Sequence, residues 1–219
     1  MDDNVDIAGS AMDIVEAGRL MIGSGLVAGT WGNISCRCQT GRCLITPSGI
    51  PFNTLQPGDL VAVDLESGAC NGRLRPSTET PMHAAIYRAR PDVGAIVHTH
   101  SLFASVLAVT RMELPPVLEE MAQLLGGSVP VARHALSGSR ELAEAAVEAL
   151  EQRSAVLLAN HGLVGVGRTV QEALTVCQLV ERSAQIWLWS KMTGTPHLLE
   201  EQEVLQLRQR FLKHYGQEG

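Results

Sequence analysis

The chain has 219 residues, of which 45% are hydrophobic and 18% are charged, and its formal net charge is −6. This composition predicts a folded protein with a sizeable buried core and excludes intrinsic disorder. Because the net charge is negative and Lys and Arg form no cluster, the charge argues against binding to nucleic acids or to a membrane surface. The sequence has no apolar run long enough to cross a membrane and no signal-peptide core, so we expect a cytoplasmic protein.

Hydrophobic spacing and turn residues predict a helix and four short strands in the first third of the chain. The helix covers residues 5–23, and TWGNISCRC and RCLITPSG predict two strands divided by a turn at Thr40–Gly41. DLVAVDLESGACNGR predicts a strand, a turn at Ser67–Gly68 and another short strand. STETPMHAAIYRAR then begins with Ser and Thr before Glu and Pro, which is typical of a helix N-terminus.

The remaining two thirds of the chain mix helices and strands without strict alternation. A strand is predicted over 94–99, followed by a helix in SLFASVLAV and a second helix, with a serine N-cap, in SGSRELAEAAVEALEQR. SAVLLANHGLVGVG then predicts two strands around an Asn-His-Gly turn, and two more helices are predicted over 169–192 and 200–213. We therefore expect one α/β domain over residues 1–219, α+β-like in its element order, with three layers and a mostly antiparallel central sheet.

Two histidines stand at the end of the predicted strand in GAIVHTHSLF. Residues two apart in a strand project to the same face, so His98 and His100 can direct both imidazoles at one metal ion. A third histidine, His161, follows the apolar strand of LLANHGLVGVG. Three histidines at neighbouring strand ends would leave a fourth position open, as catalytic zinc sites do. A lone pair would equally suit a hydrogen-bonded strand end, so the metal hypothesis depends on all three.

Glu79 in RPSTETPMH lies at the start of a predicted helix. A carboxylate beside a divalent cation can act as a ligand or as a base, although a glutamate in this place would also stabilise any helix through its dipole.

Glycines and hydroxyl residues recur in GTWGN, in TPSG and at Ser77–Thr78. Their backbone N–H and hydroxyl groups could together hold a phosphate, while each stretch alone is an ordinary turn. Neither a Walker pattern nor Gly-x-Gly-x-x-Gly is present, so a nucleotide is not indicated.

Three cysteines in SCRCQTGRC offer a different metal hypothesis. A structural zinc site on Cys36, Cys38 and Cys43 would need Cys70 or a histidine as its fourth ligand. The spacing differs from the usual Cys-x₂₋₄-Cys pairs of such sites, which favours reduced thiols in a hairpin.

The motifs GTWGNIS, ITPSGI, PSTETPMH, VHTH and NHG, in this order, resemble those of the class II aldolase/adducin family, most closely its fuculose-phosphate aldolases. The resemblance covers nearly the whole chain. It implies an αβα fold and a cyclic homotetramer with active sites at subunit interfaces. It also implies a phosphorylated sugar as substrate and a divalent ion, usually Zn²⁺, with Mn²⁺ or another ion as alternatives.

The same resemblance assigns roles to single residues. It implies that the metal is bound by His98, His100 and His161, and that Glu79 is the acid/base that also ligates the resting metal. The residues implied to hold the substrate phosphate are Gly32, Asn33, Ser48, Gly49, Ser77 and Thr78.

Two further positions carry catalytic roles by the same resemblance. Tyr215 matches a tyrosine that reaches the active site of a neighbouring subunit. Glu120 stands where the aldolases have a catalytic tyrosine. A glutamate there could do similar proton work only if it were buried, and it could equally be a surface residue beside Glu119.

We therefore expect a metal-dependent aldehyde-lyase that cleaves a ketose 1-phosphate, of the fuculose, ribulose, 5-deoxyribulose or methylthioribulose type, to dihydroxyacetone phosphate and an aldehyde. Alternatives within the family are a sugar-phosphate 4-epimerase, a methylthioribulose-phosphate dehydratase and a sugar-acid phosphate decarboxylase. A non-catalytic interaction module like adducin is the alternative from another class, and it would be expected to lose the three histidines.

Overall fold

The computed structural model describes residues 3–38, 41–71 and 73–214. The helices in this part of the chain are α1 (Asp3–Gly23), α2 (Thr80–Ala89), α3 (Leu102–Thr110), α4 (Glu119–Leu124), α5 (Arg140–Leu150), α6 (Val170–Thr193) and α7 (Glu201–His214). The strands are β1 (Asn33–Arg37), β2 (Arg42–Ile45), β3 (Val61–Asp64), β4 (Cys70–Asn71), β5 (Ala95–Thr99), β6 (Val131–Ala132), β7 (Ala155–Leu158) and β8 (Gly162–Gly167). Among these helices, none is long and apolar enough to span a bilayer.

The eight strands form one sheet in the order β4-β3-β2-β1-β5-β8-β7-β6. Every neighbouring pair is antiparallel except β6 and β7, which are parallel. The predicted mostly antiparallel sheet is therefore confirmed. β5 lies at the centre between β1 and β8, so the His-Thr-His stretch leaves the sheet at its middle.

Helices cover both faces of the sheet, and each face has its own apolar core. Along β5, Ala95 and Val97 belong to the core under α1, α3 and α6, while Ile96 belongs to the core under α2 and α5. Since side chains alternate along a strand, His98 projects to the same face as Ile96, which is the face that α2 covers. The three-layer arrangement is confirmed, and it places the first ligand candidate on the side where Glu79 begins a helix.

Two short elements were not predicted from the sequence. The helix α4 has six residues and β6 has two, and both lie between the predicted helices α3 and α5. Elements this short carry too few residues for a hydrophobic period to be recognised. The turn predicted at Thr40–Gly41 lies partly outside the described residues, because Thr40 is not among them.

The long helix α6 packs so closely on β8 that glycine is required at the contact. A Cβ atom on Gly165 would lie 2.6 Å from Cys177 Sγ and 2.9 Å from the Ala173 carbonyl oxygen. This close packing holds β8, and with it the turn that carries His161, against the rest of the sheet.

We expect Gly165→Ala to lower the free energy of unfolding by about 1–3 kcal/mol, because the added methyl group overfills a packed contact. Urea denaturation followed by circular dichroism measures the change. Gly9→Ala in α1 is the matched control, since a Cβ there meets nothing within 4 Å. It should be neutral or stabilising by up to about 1 kcal/mol. Equal effects of the two substitutions would contradict the close-packing account.

Candidate active site

The sheet brings the three predicted histidines together at one end. His98 is the fourth residue of β5, His100 follows the strand directly, and His161 lies in the turn that precedes β8. Their ring centroids are 4.8–4.9 Å apart. One nitrogen from each ring lies within 4.8 Å of those of the other two. Residues separated by sixty positions in the chain thus share one point in space.

Gly162, the first residue of β8, allows this close approach. A Cβ at this position would lie 2.2 Å from the Thr99 carbonyl oxygen and 3.1–3.2 Å from the rings of His98 and His100. Any larger residue would therefore push the turn that carries His161 away from β5.

The ring of His98 is oriented by the neighbouring strand. Its Nδ1 lies 2.9 Å from the carbonyl oxygen of Leu163 on β8 and donates a hydrogen bond to it. Its Nε2 faces the cluster, 2.9 Å from Nε2 of His100. A backbone carbonyl that fixes one ring nitrogen in this way is the usual partner of a metal-binding histidine, because it leaves the other nitrogen available to the ion.

Glu79 precedes the first residue of α2 and lies against the histidines. Its Oε2 is 3.0 Å from Nε2 of His98, and its Oε1 is 3.3 Å from Nε2 of His161. Asn33 Nδ2 donates to Oε2 at 2.9 Å, and Ser137 Oγ donates to Oε1 at 3.0 Å. The residue is only 4% exposed, so this carboxylate is a buried group with a partner on each oxygen.

The charges of the cluster follow from this geometry. Burial raises the pKa of Glu79, but His98 and His161 more than offset that effect and hold the pKa well below its usual range. Burial lowers the pKa of His98, while the Glu79 carboxylate raises it, and the net direction is upward. Burial and the neighbouring His98 lower the pKa of His100 to about 3 and that of His161 to about 4. At neutral pH these two rings are uncharged and can offer lone pairs.

The donor set fits a divalent metal ion. Imidazole nitrogens and a carboxylate are the ligands that zinc and the neighbouring divalent ions bind. In a tetrahedral site with bonds of about 2.0–2.1 Å, ligand atoms stand roughly 3.3 Å apart. The nitrogens here are separated by 2.9 Å at the closest pair and by no more than 4.8 Å, so small side-chain movements suffice.

The three stretches predicted to hold a phosphate are joined by hydrogen bonds. Ile34 N donates to Thr46 Oγ1 at 3.2 Å, and Ser77 N donates to the Thr46 carbonyl at 3.1 Å. Ser48 N donates to the Arg75 carbonyl at 3.0 Å. The three stretches therefore meet beside the N-terminus of α2, where the helix dipole favours an anion.

The predicted phosphate residues differ in their exposure. The side chains of Ser48 and Thr78 are open to solvent, as is the position of Gly49, and Gly32 is half-buried. Ser77 is 9% exposed, and its hydroxyl accepts a hydrogen bond from the Glu79 amide.

The Asn33 side chain is turned into the protein. Nδ2 bonds to Glu79, and Oδ1 lies 2.6 Å from Nε2 of His83. Both of its polar atoms are thus occupied by protein groups, and its visible contribution to the site is to orient Glu79.

The two other predicted catalytic residues are not brought to the cluster by the described part of the chain. Glu120 is exposed on the first turn of α4, and in residues 3–38, 41–71 and 73–214 no hydrogen bond or ion pair joins it to the histidines. The burial on which its proposed proton role depends is absent in the single chain. Tyr215 lies outside the described residues.

Several neighbours of the site were assigned no ligand or catalytic role from the sequence. Ser137 lies in the loop before α5 and reaches Glu79, and Trp31, which is 65% exposed, stacks on His100 with the ring centroids 5.9 Å apart. His83 and Tyr87 are buried on α2 and hydrogen-bonded towards Asn33 and Ser35. Ser137 belongs to no motif, and the sequence pattern placed it only in the segment that begins the predicted helix SGSRELAEAAVEALEQR.

The alternative metal site on the cysteines is not formed by the described residues. Cys36, Cys38 and Cys43 are buried and Cys70 is exposed. Within the described chain, the group of side chains able to hold a metal is the three histidines.

Comparison with known proteins agrees with this geometry. The model of the class II aldolase and adducin N-terminal domain matches residues 12–188. A 5-deoxy-D-ribulose 1-phosphate aldolase of Bacillus thuringiensis serovar kurstaki is 41% identical, covering 94% of this chain and 96% of the relative. A 5-methylthioribulose-1-phosphate/5-deoxyribulose-1-phosphate aldolase of Rhodospirillum rubrum is 37% identical, covering 93% and 90%.

A solved structure of an L-fuculose 1-phosphate aldolase superposes with a TM-score of 0.90 at 34% identity. The match covers 93% of this chain and 96% of that one. With more than half of the residues matched by the family model and relatives above 30% identity over nearly their whole length, the chain belongs to the class II aldolase and adducin family.

Proposed function

We propose that this chain is a metal-dependent aldolase that cleaves a ketose 1-phosphate to dihydroxyacetone phosphate and an aldehyde. The observation that carries the proposal is the position of Glu79, a buried carboxylate in direct contact with two histidines of a three-histidine cluster. A base held beside a cation site is what carbon–carbon cleavage next to a carbonyl requires, because the reaction leaves an enediolate that must be stabilised and protonated.

The residues of the chain divide this work. A bound divalent ion supplies electrophilic polarisation of the substrate carbonyl and of the enediolate charge. Cleavage moves one proton from the hydroxyl that becomes the aldehyde oxygen to the carbon of the enediolate. Glu79, ionised at rest, would receive this proton and pass it to that carbon, and in the condensation direction it would remove the proton from the same carbon. The hydrogen-bonded stretches around Ser48, Gly49, Ser77 and Thr78 hold the phosphate, which fixes the orientation of the bond that breaks.

We propose Zn²⁺ as the ion, held by His98, His100, His161 and, in the resting site, Glu79. Three imidazoles with an exchangeable fourth ligand are typical of catalytic zinc sites. Mn²⁺ and other divalent ions accept the same donors and remain alternatives.

The substrate proposal is a 5-deoxyribulose or methylthioribulose 1-phosphate rather than a fuculose phosphate. The two curated relatives described above are named for those substrates and are 41% and 37% identical, whereas the fuculose-phosphate structure is 34% identical. The names of these relatives favour aldol cleavage over epimerisation, dehydration or decarboxylation. An adducin-like module without catalysis is disfavoured, because it would have no use for the buried histidine cluster.

We further propose a homotetramer with the active site at a subunit interface. The support is an apolar stripe on α3, formed by Leu102, Val106 and Val109, whose exposed fractions are 66%, 39% and 55%. These residues lie on one face of the helix, and the helix begins two residues after His100. A subunit that covered the stripe would lie beside the cluster and could bring its own Glu120 or Tyr215 to it.

Release of dihydroxyacetone phosphate from a panel of ketose 1-phosphates tests the proposed reaction. We expect release with added Zn²⁺ or Mn²⁺, loss of release with a chelator, and the highest kcat/KM for 5-deoxyribulose 1-phosphate. A protein that binds metal but releases nothing from the panel would contradict the aldolase proposal and leave the epimerase, dehydratase and decarboxylase reactions.

Glu79→Gln tests the acid/base role. We expect turnover to fall about a hundredfold or more, the usual scale for a positioned proton-transfer group, with part of the metal binding retained. The steady-state rate and the metal content measure the two effects. Glu144→Gln on the exposed face of α5 is the control, because its surface pair with Arg140 contributes little. Full turnover in the Glu79 variant would refute the role.

Val106→Glu tests the proposed interface. We expect the tetramer to dissociate, since a charge in a covered apolar contact is unfavourable, and we expect activity to fall with it. Light scattering after size-exclusion chromatography measures the mass. Met12→Lys, at a 59% exposed position on α1, is the control. A monomeric wild-type protein with full activity would contradict the proposal.

A further inference from the structure

We propose that His83 is a positioning residue for Glu79. It holds the side-chain amide of Asn33 in the one orientation that presents an N–H to the Glu79 carboxylate. The inference rests on the proposed acid/base role of Glu79 and concerns a residue outside the metal and phosphate groups.

Five buried side chains form a continuous hydrogen-bonded chain that ends at the carboxylate. Starting from the far end, Tyr87 OH lies 2.8 Å from Ser35 Oγ, and Ser35 Oγ lies 2.6 Å from His83 Nδ1. His83 Nε2 lies 2.6 Å from Asn33 Oδ1, and Asn33 Nδ2 lies 2.9 Å from Glu79 Oε2. All five residues are less than 5% exposed, so water does not compete for these bonds.

The direction of every bond follows from the charge at one end. Ionised Glu79 has no proton to give, so Asn33 must donate through Nδ2 and can only accept through Oδ1. His83 therefore carries its proton on Nε2 and accepts at Nδ1. Ser35 gives its single proton to that nitrogen, so Tyr87 must donate to Ser35. Each member thus has one arrangement in which all its polar atoms are paired.

Burial keeps the two titratable members in the required form. It lowers the pKa of His83 to about 3, which leaves a neutral ring with one donor and one acceptor. It raises the pKa of Tyr87 well above its usual value, so the phenol remains a donor. A cationic imidazole would have no acceptor for Ser35, and an ionised phenol would have no proton for it.

This series of hydrogen bonds raises the free energy of the reversed orientation of the Asn33 amide. If the amide were reversed, Oδ1 would face the Glu79 carboxylate, and the NH₂ group would face the Nε2–H of His83. Two hydrogen bonds would be lost in a buried place, and each unpaired buried group costs about 1–3 kcal/mol. His83 links this orientation to the residues behind it, because a reversed amide would require the proton of His83 on Nδ1, and Ser35 and Tyr87 would then have to reverse their hydrogen bonds as well. Without it, Asn33 can turn and Glu79 loses its fixed partner on Oε2.

The first test compares His83→Leu with His83→Gln. Leucine fills the space but has no polar group, whereas glutamine offers an NH₂ donor for Asn33 Oδ1 and an acceptor oxygen for Ser35. We expect the leucine variant to lose about tenfold or more in kcat, a part of what a positioned acid/base supplies, with KM and metal content unchanged. The glutamine variant should regain most of that kcat. Equal loss in both variants, or a loss confined to KM, would overturn the proposal.

A double-mutant cycle separates this proposal from the role of Glu79. If His83 acts through Glu79, then His83→Leu in a Glu79→Gln background should change kcat by less than about twofold, because the positioned group is already gone. Independent, multiplicative effects would overturn the positioning role while leaving the role of Glu79 intact. A Glu79→Gln enzyme with full turnover would instead refute the proposed function itself.

Two further measurements keep the proposal testable if the leucine variant folds poorly or activity is absent. Ser35→Ala removes the hydrogen bond to His83 Nδ1, one residue further from Glu79, and should lower kcat about threefold or more. Ser183→Ala should not lower kcat, because this serine is equally buried and its hydroxyl has no hydrogen-bond partner among the described residues. A crystal structure of the His83→Gln and Ser35→Ala proteins reads the geometry directly. We expect the hydrogen bond between Asn33 Nδ2 and Glu79 Oε2 to be kept in His83→Gln and to be lengthened or lost in Ser35→Ala. An unchanged bond in both proteins would overturn the proposal.

Discussion

A carboxylate buried among histidines is the interaction on which the rest of the site depends. Taking an ionised group out of water costs several kcal/mol, and the cost is offset only if charge and hydrogen bonds are supplied in good geometry. Glu79 has four such partners, which are His98, His161, Asn33 and Ser137. Each of these partners comes from a different part of the chain, so the fold must bring four separate segments to one carboxylate.

The strand register of the sheet aligns two of these segments, β1 and β5, with each other. Asn33 on β1, His98 on β5 and Val164 on β8 are successive Cα partners across three neighbouring strands. Strand pairing therefore fixes the distance between the backbone of Asn33, whose amide bonds to Glu79, and that of His98. The same pairing brings the Leu163 carbonyl to Nδ1 of His98. Because β5 is the central strand, with pairing on both sides, this arrangement is among the parts of the molecule least able to shift.

The sequence predicted the parts of this arrangement that depend on local patterns. The His-x-His pair at the end of an apolar strand, the histidine in a Gly-containing turn and the glutamate at a helix start all fell in the predicted places. The partners of Glu79 were harder to predict from the sequence, since they depend on which strands are neighbours in the sheet. Asn33 lies in a motif that implies phosphate binding, and only the register with His98 shows that its amide faces inwards. Ser137 lies in a loop with no periodicity, so nothing in the sequence connects it with Glu79.

The arrangement of donors around Glu79 also explains how one geometry can serve two charge states. When the histidines direct their lone pairs to a cation, His98 and His161 no longer donate to the carboxylate. Asn33 on Oε2 and Ser137 on Oε1 then remain, one uncharged donor for each oxygen. Neither depends on the protonation of the histidines, so the carboxylate keeps its orientation while its histidine partners change. Two uncharged side chains, neither of them assigned to Glu79 from the sequence, thereby hold the carboxylate from both oxygens, and behind Asn33 the hydrogen bonds continue through His83 to Ser35.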